Sequence, residues 1–389
     1  MLPSLNDENL SVVLLSGMLS TAAGGLAFSV PFMSRALESQ RGTDVHVMGL
    51  RDPNASEEEL NWGSSVIPLN YLGPRAFGYT AGIARELERI SPSLVDVQGI
   101  WTYQSLANLN YCKRHNTPYI ITPHGMLDLW ARNRSAIKKR LVRLWFEDEH
   151  LTSATCLRAT AELEADHFRS FGLTNPIAII PNGIHVPDLL PRNRPRSAPR
   201  RILFLSRLHP KKGLWFLVKA WASIAHKRPD WELVIAGPDE LNHRAEMQSL
   251  ARNVSAPRIT WMEAVHGSAK NQLYRSSDLF VLPTHAENFG LVVAEALANE
   301  VPVITTRNAP WGGLRDFQCG WWIDLNLDAL TDALLDATNT SREELSMMGA
   351  RGRDWVSSEF RWDSVAERLQ EVYLWAAKGA SRPSHVYLA

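Results

Sequence analysis

The sequence predicts an α/β protein built as two doubly wound parallel-sheet domains. Three observations carry that expectation. Short apolar runs alternate with segments of helical period. The alternation stops at a Pro- and Arg-rich stretch near residue 190 and then begins again. The chain of 389 residues is long enough for about two cores of ordinary size. In the first half LSVVLLS, DVHVMGL, SLVDVQGI and PYIITPHG read as strands, with helical segments such as TAGIARELERI and YQSLANLNYCKRHN between them, the pattern of βαβ units. After IAIIPNGI comes PDLLPRNRPRSAPR, which has little to bury and reads as a linker. Beyond it RILFLSRL, WELVIAG, RITWMEAV, DLFVLPT and VPVITT alternate with helices again. The division expected is 1–190, 191–360, and a C-terminal helix with its tail, 361–389, crossing back to the first domain. No short internal repeat is present. Ligands of doubly wound sheets lie at the carboxyl ends of strands, here expected in a cleft between the domains.

Composition bounds the partners. Lys and Arg number 41 and Asp and Glu 41, so the net charge is zero and no global field draws the chain to nucleic acid or to an anionic membrane; any such attraction is local. The three cysteines, Cys112, Cys156 and Cys319, fit no zinc or redox spacing and read as free thiols in a reducing cytoplasm. Asn9 to Ser34 carries no charge, which suggests a targeting segment. The acidic residues before it and its Gly17, Gly24, Gly25 and Pro31 argue instead for a buried strand, a glycine turn and a helix. The expected location is therefore cytoplasmic.

Motifs for a P-loop, a dinucleotide fingerprint, a nucleophile elbow and a zincin helix are all missing from the sequence, as is a D-x-D pair to hold a metal on a diphosphate. A bound diphosphate would have to be neutralised by protein cations and amides. RILFLSRLHPKKGL offers both cations, with Arg207 just past a strand and Lys212 before a helix starting near Gly213. A guanidinium forks two phosphate oxygens and a lysine adds a point charge. Taken alone, the two could equally be solvated turn charges. THAENFGLVVAEALANE repeats the setting: a buried strand, a turn holding Glu287, then a helix holding Glu295. If all the intervening residues are helical, the acids stand roughly 12 Å apart along the axis and roughly 80° around it, which excludes chelation of one atom. They would contact two parts of an extended ligand, with the amides of Asn288, Phe289, Gly290 and Leu291 facing an anion between them. The plainer reading makes Glu287 a surface acid favoured by the helix dipole and Glu295 a solvated one.

With TPHGM and IIPNGI preceding them in order, SRLHPKKG and the E-x7-E element Glu287-NFGLVVA-Glu295 carry a resemblance. The chain resembles the retaining glycosyltransferases of family 4, from about Val12 to the helix after Trp362. The resemblance implies the GT-B fold of two Rossmann-like domains and a nucleotide-diphosphate sugar as co-substrate, with no further cofactor and no metal. It implies that Glu295 binds the ribose hydroxyls and Glu287 faces the donor sugar near its anomeric carbon. Arg207 and Lys212 would bind the diphosphate, the Gly24-Gly25 turn would approach the distal phosphate, and His124 would reach the sugar or reacting centre. His124 and Glu287 are thus the implied catalytic residues, in a front-face reaction with retention that needs no covalent nucleophile. Ala286 and Asn288 depart from the common pattern, in which glycine precedes the Phe-Gly pair, so the donor sugar is left open.

Two further features are expected to matter. Trp311, Trp321 and Trp322 stand among glycine pairs and read as packing at a cleft edge rather than a sugar-stacking platform. In 132–146, Ile137, Leu141, Leu144 and Trp145 share one helical face while Arg134, Lys138, Lys139, Arg140 and Arg143 cluster nearby. Such a helix either packs on its own domain or lies on an anionic inner membrane, and the resemblance, whose members often act on lipid-linked acceptors, keeps the second in play. The partners expected are a nucleotide sugar, a glycan or lipid-linked acceptor, and no nucleic acid. A sugar-nucleotide epimerase of the same fold and a catalytically silent nucleotide-sugar-binding subunit are the competing functions.

Overall fold

The structure is a computed structural model; it describes residues 9–20, 23–55, 62–128, 136–191, 195 and 197–389. The chain divides into two compact units, one formed by residues 1–183 with 362–389, the other by 184–361. The division falls upstream of residue 190 because Ile184 already belongs to the second unit: its amide bonds the carbonyl of Phe360 at 2.7 Å and it bridges to Arg361. The Pro- and Arg-rich stretch that composition singled out lies wholly beyond that point.

The first unit holds an eight-stranded sheet. Its strands are β1 (Leu10–Leu19), β2 (Thr43–Arg51), β3 (Val66–Leu69), β4 (Leu94–Gln98), β5 (Tyr119–Thr122), β6 (Cys156–Ala159), β7 (Ile177–Ile179) and β14 (Val386–Tyr387). Their order is β14-β7-β6-β5-β4-β1-β2-β3, parallel except where β14 meets β7. Strand β1 is apolar on both faces because both are covered. Leu10, Val12 and Leu14 enter the core made with helices Leu26–Glu38 and Trp362–Lys378, while Val13 and Leu15 enter the opposite core with helices Gly82–Ile90 and Tyr103–His115. The uncharged N-terminal stretch is therefore the strand, turn and helix expected of it, with Pro31 inside the helix. Strands β3, β6 and β14 are short and carry Pro68, a buried Arg158 or only two residues, so their periodicity is too brief to read.

The second unit is a six-stranded parallel sheet of β8 (Arg200–Leu205), β9 (Trp231–Ala236), β10 (Ile259–Met262), β11 (Leu279–Leu282), β12 (Val303–Thr306) and β13 (Gly320–Ile323), in the order β10-β9-β8-β11-β12-β13. The three tryptophans pack on the core of this unit, Trp311 within it. Trp321 and Trp322 lie in β13 and donate their indole N–H to Asp336 and to the Ala309 carbonyl, whereas Trp311 is core, 1% exposed. The Cys112, Cys156 and Cys319 thiols are free and buried, and burial pushes each up to about 12. Among the described residues no helix is long and apolar enough to cross a membrane.

Candidate active site

Each sheet reverses its winding at one place, between β1 and β4 in the first unit and between β8 and β11 in the second. The loops leaving two such neighbouring strands diverge and open a crevice at their carboxyl ends. In the second unit those loops carry the residues singled out by sequence. After β8 the chain runs through a 3-10 turn, Pro210–Lys212, whose first amides are capped when His209 accepts from Lys211 N at 3.0 Å. Gly213 then takes φ 69°, and a Cβ there would collide with the Pro283 carbonyl, so only glycine lets this turn lie against the loop after β11. The helix that follows is Leu214–Ile224, as expected from Gly213.

The two loops are stitched together. His285 N and Thr284 Oγ1 both donate to the Lys211 carbonyl, at 2.8 and 3.1 Å, while Glu287 N donates at 3.0 Å to Asn308 O in the loop after β12. That stitching brings Lys212 Nζ into a direct ion pair with Glu287 Oε1, with side chains 12% and 10% exposed. Arg207 is not part of the pair. It is 57% exposed and donates to Glu240 at 2.8 Å.

The helix after Glu287 spans Leu291–Ala298 with Gly290, φ 81°, as its N-cap. This corrects two expectations. Asn288 and Phe289 precede the helix, so its first amides belong to Leu291 and Val292. Phe289 turns its ring into the core against Trp311 and Phe360, and its carbonyl accepts from Trp311 Nε1 at 2.6 Å. The spacing computed for an unbroken helix from Glu287 to Glu295 does not apply, because Glu295 lies only about one turn inside a helix that Glu287 never joins.

Glu295 has partners that sequence reasoning missed. Lys270 Nζ donates to one carboxylate oxygen at 2.6 Å and Tyr274 Oη to the other at 3.0 Å. Both come from helix Gly267–Arg275, where their i, i+4 spacing places them on one face. That spacing was readable in the sequence; its target was not. Burial, and then the Glu295 charge, raise the Tyr274 phenol well above its ordinary value, so it stays a donor. Arg244 was also missed. It donates to the carbonyls of Gly237 and Met262 at 2.9 and 3.0 Å, tying together the carboxyl ends of β9 and β10.

In the first unit, Gly24, φ 63°, and Gly25 form the turn into helix Leu26–Glu38, and no described atom lies within 4 Å of where a Cβ would sit on either. A ligand can approach that backbone closely. His124 follows β5 with φ 53°, and its Nε2 meets Gln98 Oε1 at 2.8 Å. Loss of hydration, and secondarily the charge of Arg158, push its imidazole down to about 3, so it is neutral at physiological pH.

The fold recurs in solved structures. A sucrose-phosphate synthase from Thermosynechococcus elongatus superposes with a TM-score of 0.76 at 20% identity, covering 96% of this chain and 100% of that one. Anabaena HepE, solved with UDP and glucose, gives 0.71 at 14% identity over 94% and 99%. These are glycosyltransferases of the GT-B fold, and two parallel-sheet domains of that kind are what this chain has. Residues 24–183 match the family described as Glycosyl transferase 4-like domain and residues 199–339 that described as Glycosyl transferases group 1. The two matches together span most of the chain, which belongs to this glycosyltransferase family, family 4. Among relatives, a D-inositol 3-phosphate glycosyltransferase of Actinosynnema mirum is 27% identical over 76% of each chain. A GDP-mannose:cellobiosyl-diphosphopolyprenol alpha-mannosyltransferase of Xanthomonas campestris is 23% identical over 72% of this chain and 75% of its own.

Proposed function

We propose that the protein is a retaining, metal-independent hexosyltransferase that moves a sugar from a nucleoside-diphosphate donor to a hydroxyl of a glycan or lipid-linked saccharide, in polysaccharide biosynthesis. The observation that carries this reading is the Lys212–Glu287 pair, held at the β8/β11 switch point beside the start of helix Leu291–Ala298. Lys212 supplies charge to the diphosphate, most needed as it departs, and Arg207 adds a second, more exposed cation. The amides at the helix start face the same anion. Glu295, held by Lys270 and Tyr274, accepts from the ribose hydroxyls. Glu287 faces the sugar and stabilises positive charge at the anomeric carbon without forming a bond. On the first unit, Gly24 and Gly25 approach the distal phosphate and His124 the sugar. The named mannosyltransferase supports a lipid-diphosphate acceptor, and the inositol-phosphate relative a small polar one.

The pairing adds a mechanistic consequence. Before donor binds, Glu287 and the diphosphate compete for Lys212. Binding shifts the lysine toward phosphate and leaves the carboxylate to face the charge that grows in the transition state. Incubation of the purified protein with uridine- and guanosine-diphosphate sugars and an acceptor extract, with and without EDTA, tests the reading. Release of nucleoside diphosphate with an α-linked product, unaffected by EDTA, is expected. An isomerised sugar nucleotide would mark an epimerase, donor binding without turnover a silent subunit, and loss with EDTA restored by magnesium a metal-dependent enzyme.

A cytoplasmic enzyme resting on the anionic inner face of the membrane is also proposed, because the apolar face of 137–145 is turned outward. Ile137, Leu141, Leu144 and Trp145 are 81%, 65%, 78% and 65% exposed, with Lys138, Lys139, Arg140 and Arg143 interspersed; Arg134 lies outside the described residues. Apolar insertion with basic flanks suits an anionic bilayer. Cosedimentation with phosphatidylglycerol vesicles, lost for Leu144→Glu/Trp145→Glu and absent with phosphatidylcholine alone, is expected. Equal sedimentation of wild type and double variant would remove the proposal.

A further inference from the structure

Strand β4 ends in a polar pair, Asp96 and Gln98. Asp96 and Gln98 are two residues apart, so their side chains leave the same face of the sheet. Asp96 is fully buried. Its Oδ2 accepts from Tyr373 Oη at 2.5 Å, and Thr122 Oγ1 makes a long contact with its Oδ1 at 3.4 Å. Burial raises the Asp96 carboxyl, while the Tyr373 hydroxyl, the Arg158 charge, and the side chains of Thr122 and Gln98 hold it down. Gln98 stands opposite Thr122 across the β4/β5 ladder, and His124 lies just beyond Thr122. The Gln98 amide nitrogen makes no full hydrogen bond, yet it is near enough to Asp96 to act on it.

A primary amide has two different ends, and its neighbours decide which way it points. The oxygens of Asp96 already receive two hydroxyls and act as acceptors, so the amide end nearest them must be the NH2. That leaves Oε1 toward His124, and an oxygen acceptor requires a proton on the facing nitrogen. We propose that Gln98, oriented by Asp96, is a positioning residue that fixes neutral His124 as the Nε2–H tautomer and leaves Nδ1 a lone-pair acceptor for a substrate hydroxyl. The substrate-facing half rests on the role proposed above for His124; the tautomer does not. Tyr373 belongs to helix Trp362–Lys378, so the C-terminal segment, far away in sequence, completes the chain of contacts.

The test is nitrogen-proton correlation NMR of protein carrying 15N-histidine, with the His124 signals assigned by their loss in His124→Gln from among the 12 histidines. The expected wild-type spectrum shows a proton on Nε2 and none on Nδ1. Gln98→Met, close in volume but without an acceptor, should give a mixture of tautomers and about a tenfold fall in turnover at saturating donor. Gln98→Glu, which keeps an acceptor, should retain the Nε2–H form, so a folding defect at this position cannot account for both results. A wild-type proton on Nδ1, or an unchanged tautomer in Gln98→Met, overturns the proposal. A mixed tautomer with unchanged turnover overturns the substrate-facing half, and with it the role given to His124, while the positioning by Gln98 stands.

Discussion

The candidate residues in the two units are held in opposite ways. In the second unit, both acids of the E-x7-E element meet a lysine, Glu287 with Lys212 and Glu295 with Lys270. In the first, His124 is neutral and is held by an amide. A buried charge without a partner is costly, and the second unit pairs each acid with a cation, Glu287 in the more buried pair and Glu295 in a more open one. A group that only accepts or donates a proton-sized contact can be desolvated and set by tautomer instead. The difference suggests where mutation should be expensive: where a charge loses its partner.

Lys212→Ala should have the largest effect. It removes the proposed diphosphate cation and strands Glu287, so donor affinity should fall by about 2–5 kcal/mol, read by calorimetry with the free nucleoside diphosphate. Unchanged affinity would make Lys212 only a structural partner of Glu287. Removing the other member breaks the symmetry of the pair: Glu287→Gln releases Lys212, so affinity for the nucleoside diphosphate should hold or tighten while turnover at saturating donor falls.

Next in size is Glu295→Gln, which would weaken the charge-assisted hydrogen bonds proposed for the ribose and should cost about 1.5–3 kcal/mol of nucleotide affinity. Lys270→Met, which frees the carboxylate from its protein partner, should not reproduce that loss; if it weakens nucleotide binding as much, Glu295 needs Lys270 to be held in place. Equal losses in Glu287→Gln and Glu295→Gln would end the division of labour between the two acids.

A smaller effect belongs to the first unit and concerns acid stability. The imidazole of His124 titrates near 3 when folded against 6.5 ordinarily. Between those values the unfolded chain binds the extra proton, so stability is lost as pH falls from about 6.5 toward 3. Asp96, raised above 3.8 by burial, contributes with the opposite sign near its own range. The difference between wild type and His124→Gln in denaturant melts isolates the histidine, and a difference that does not change with pH would contradict a ring held neutral by the fold. Smallest of all is Arg207→Ala, expected to change donor affinity by under about 1 kcal/mol, since the side chain is exposed and already engaged by Glu240. A loss matching Lys212→Ala would restore Arg207 as an equal diphosphate cation.

Much of the site was legible because it depends on short-range rules. Arg207 and Lys212 follow one strand and Glu287 another because ligand-facing groups of a doubly wound sheet stand in the loops at strand carboxyl ends, and Gly213 and Gly290 mark turns that other residues resist. The start of helix Leu291–Ala298 was misplaced because Phe289, apolar and next to the helix, looks helical by pattern while its ring is claimed by Trp311 and Phe360 from outside the segment. The face of 137–145 was legible as an apolar stripe, but a stripe does not say whether protein or solvent covers it.

By itself, then, the sequence determined the two alternating strand-and-helix units, the turns that need glycine, and which chemical groups stand at the ends of which strands, since each follows from neighbours a few residues away. Only the tertiary structure decided the partnerships. Glu295 meets Lys270 and Tyr274 across separations of 25 and 21 residues, Lys212 meets Glu287 across 75, and Asp96 meets Tyr373 across 277. The Lys212–Glu287 contact closes because strand order places β8 beside β11, and the others close where helices pack beside one another or on the sheet, both properties of how whole cores pack rather than of any local run of residues.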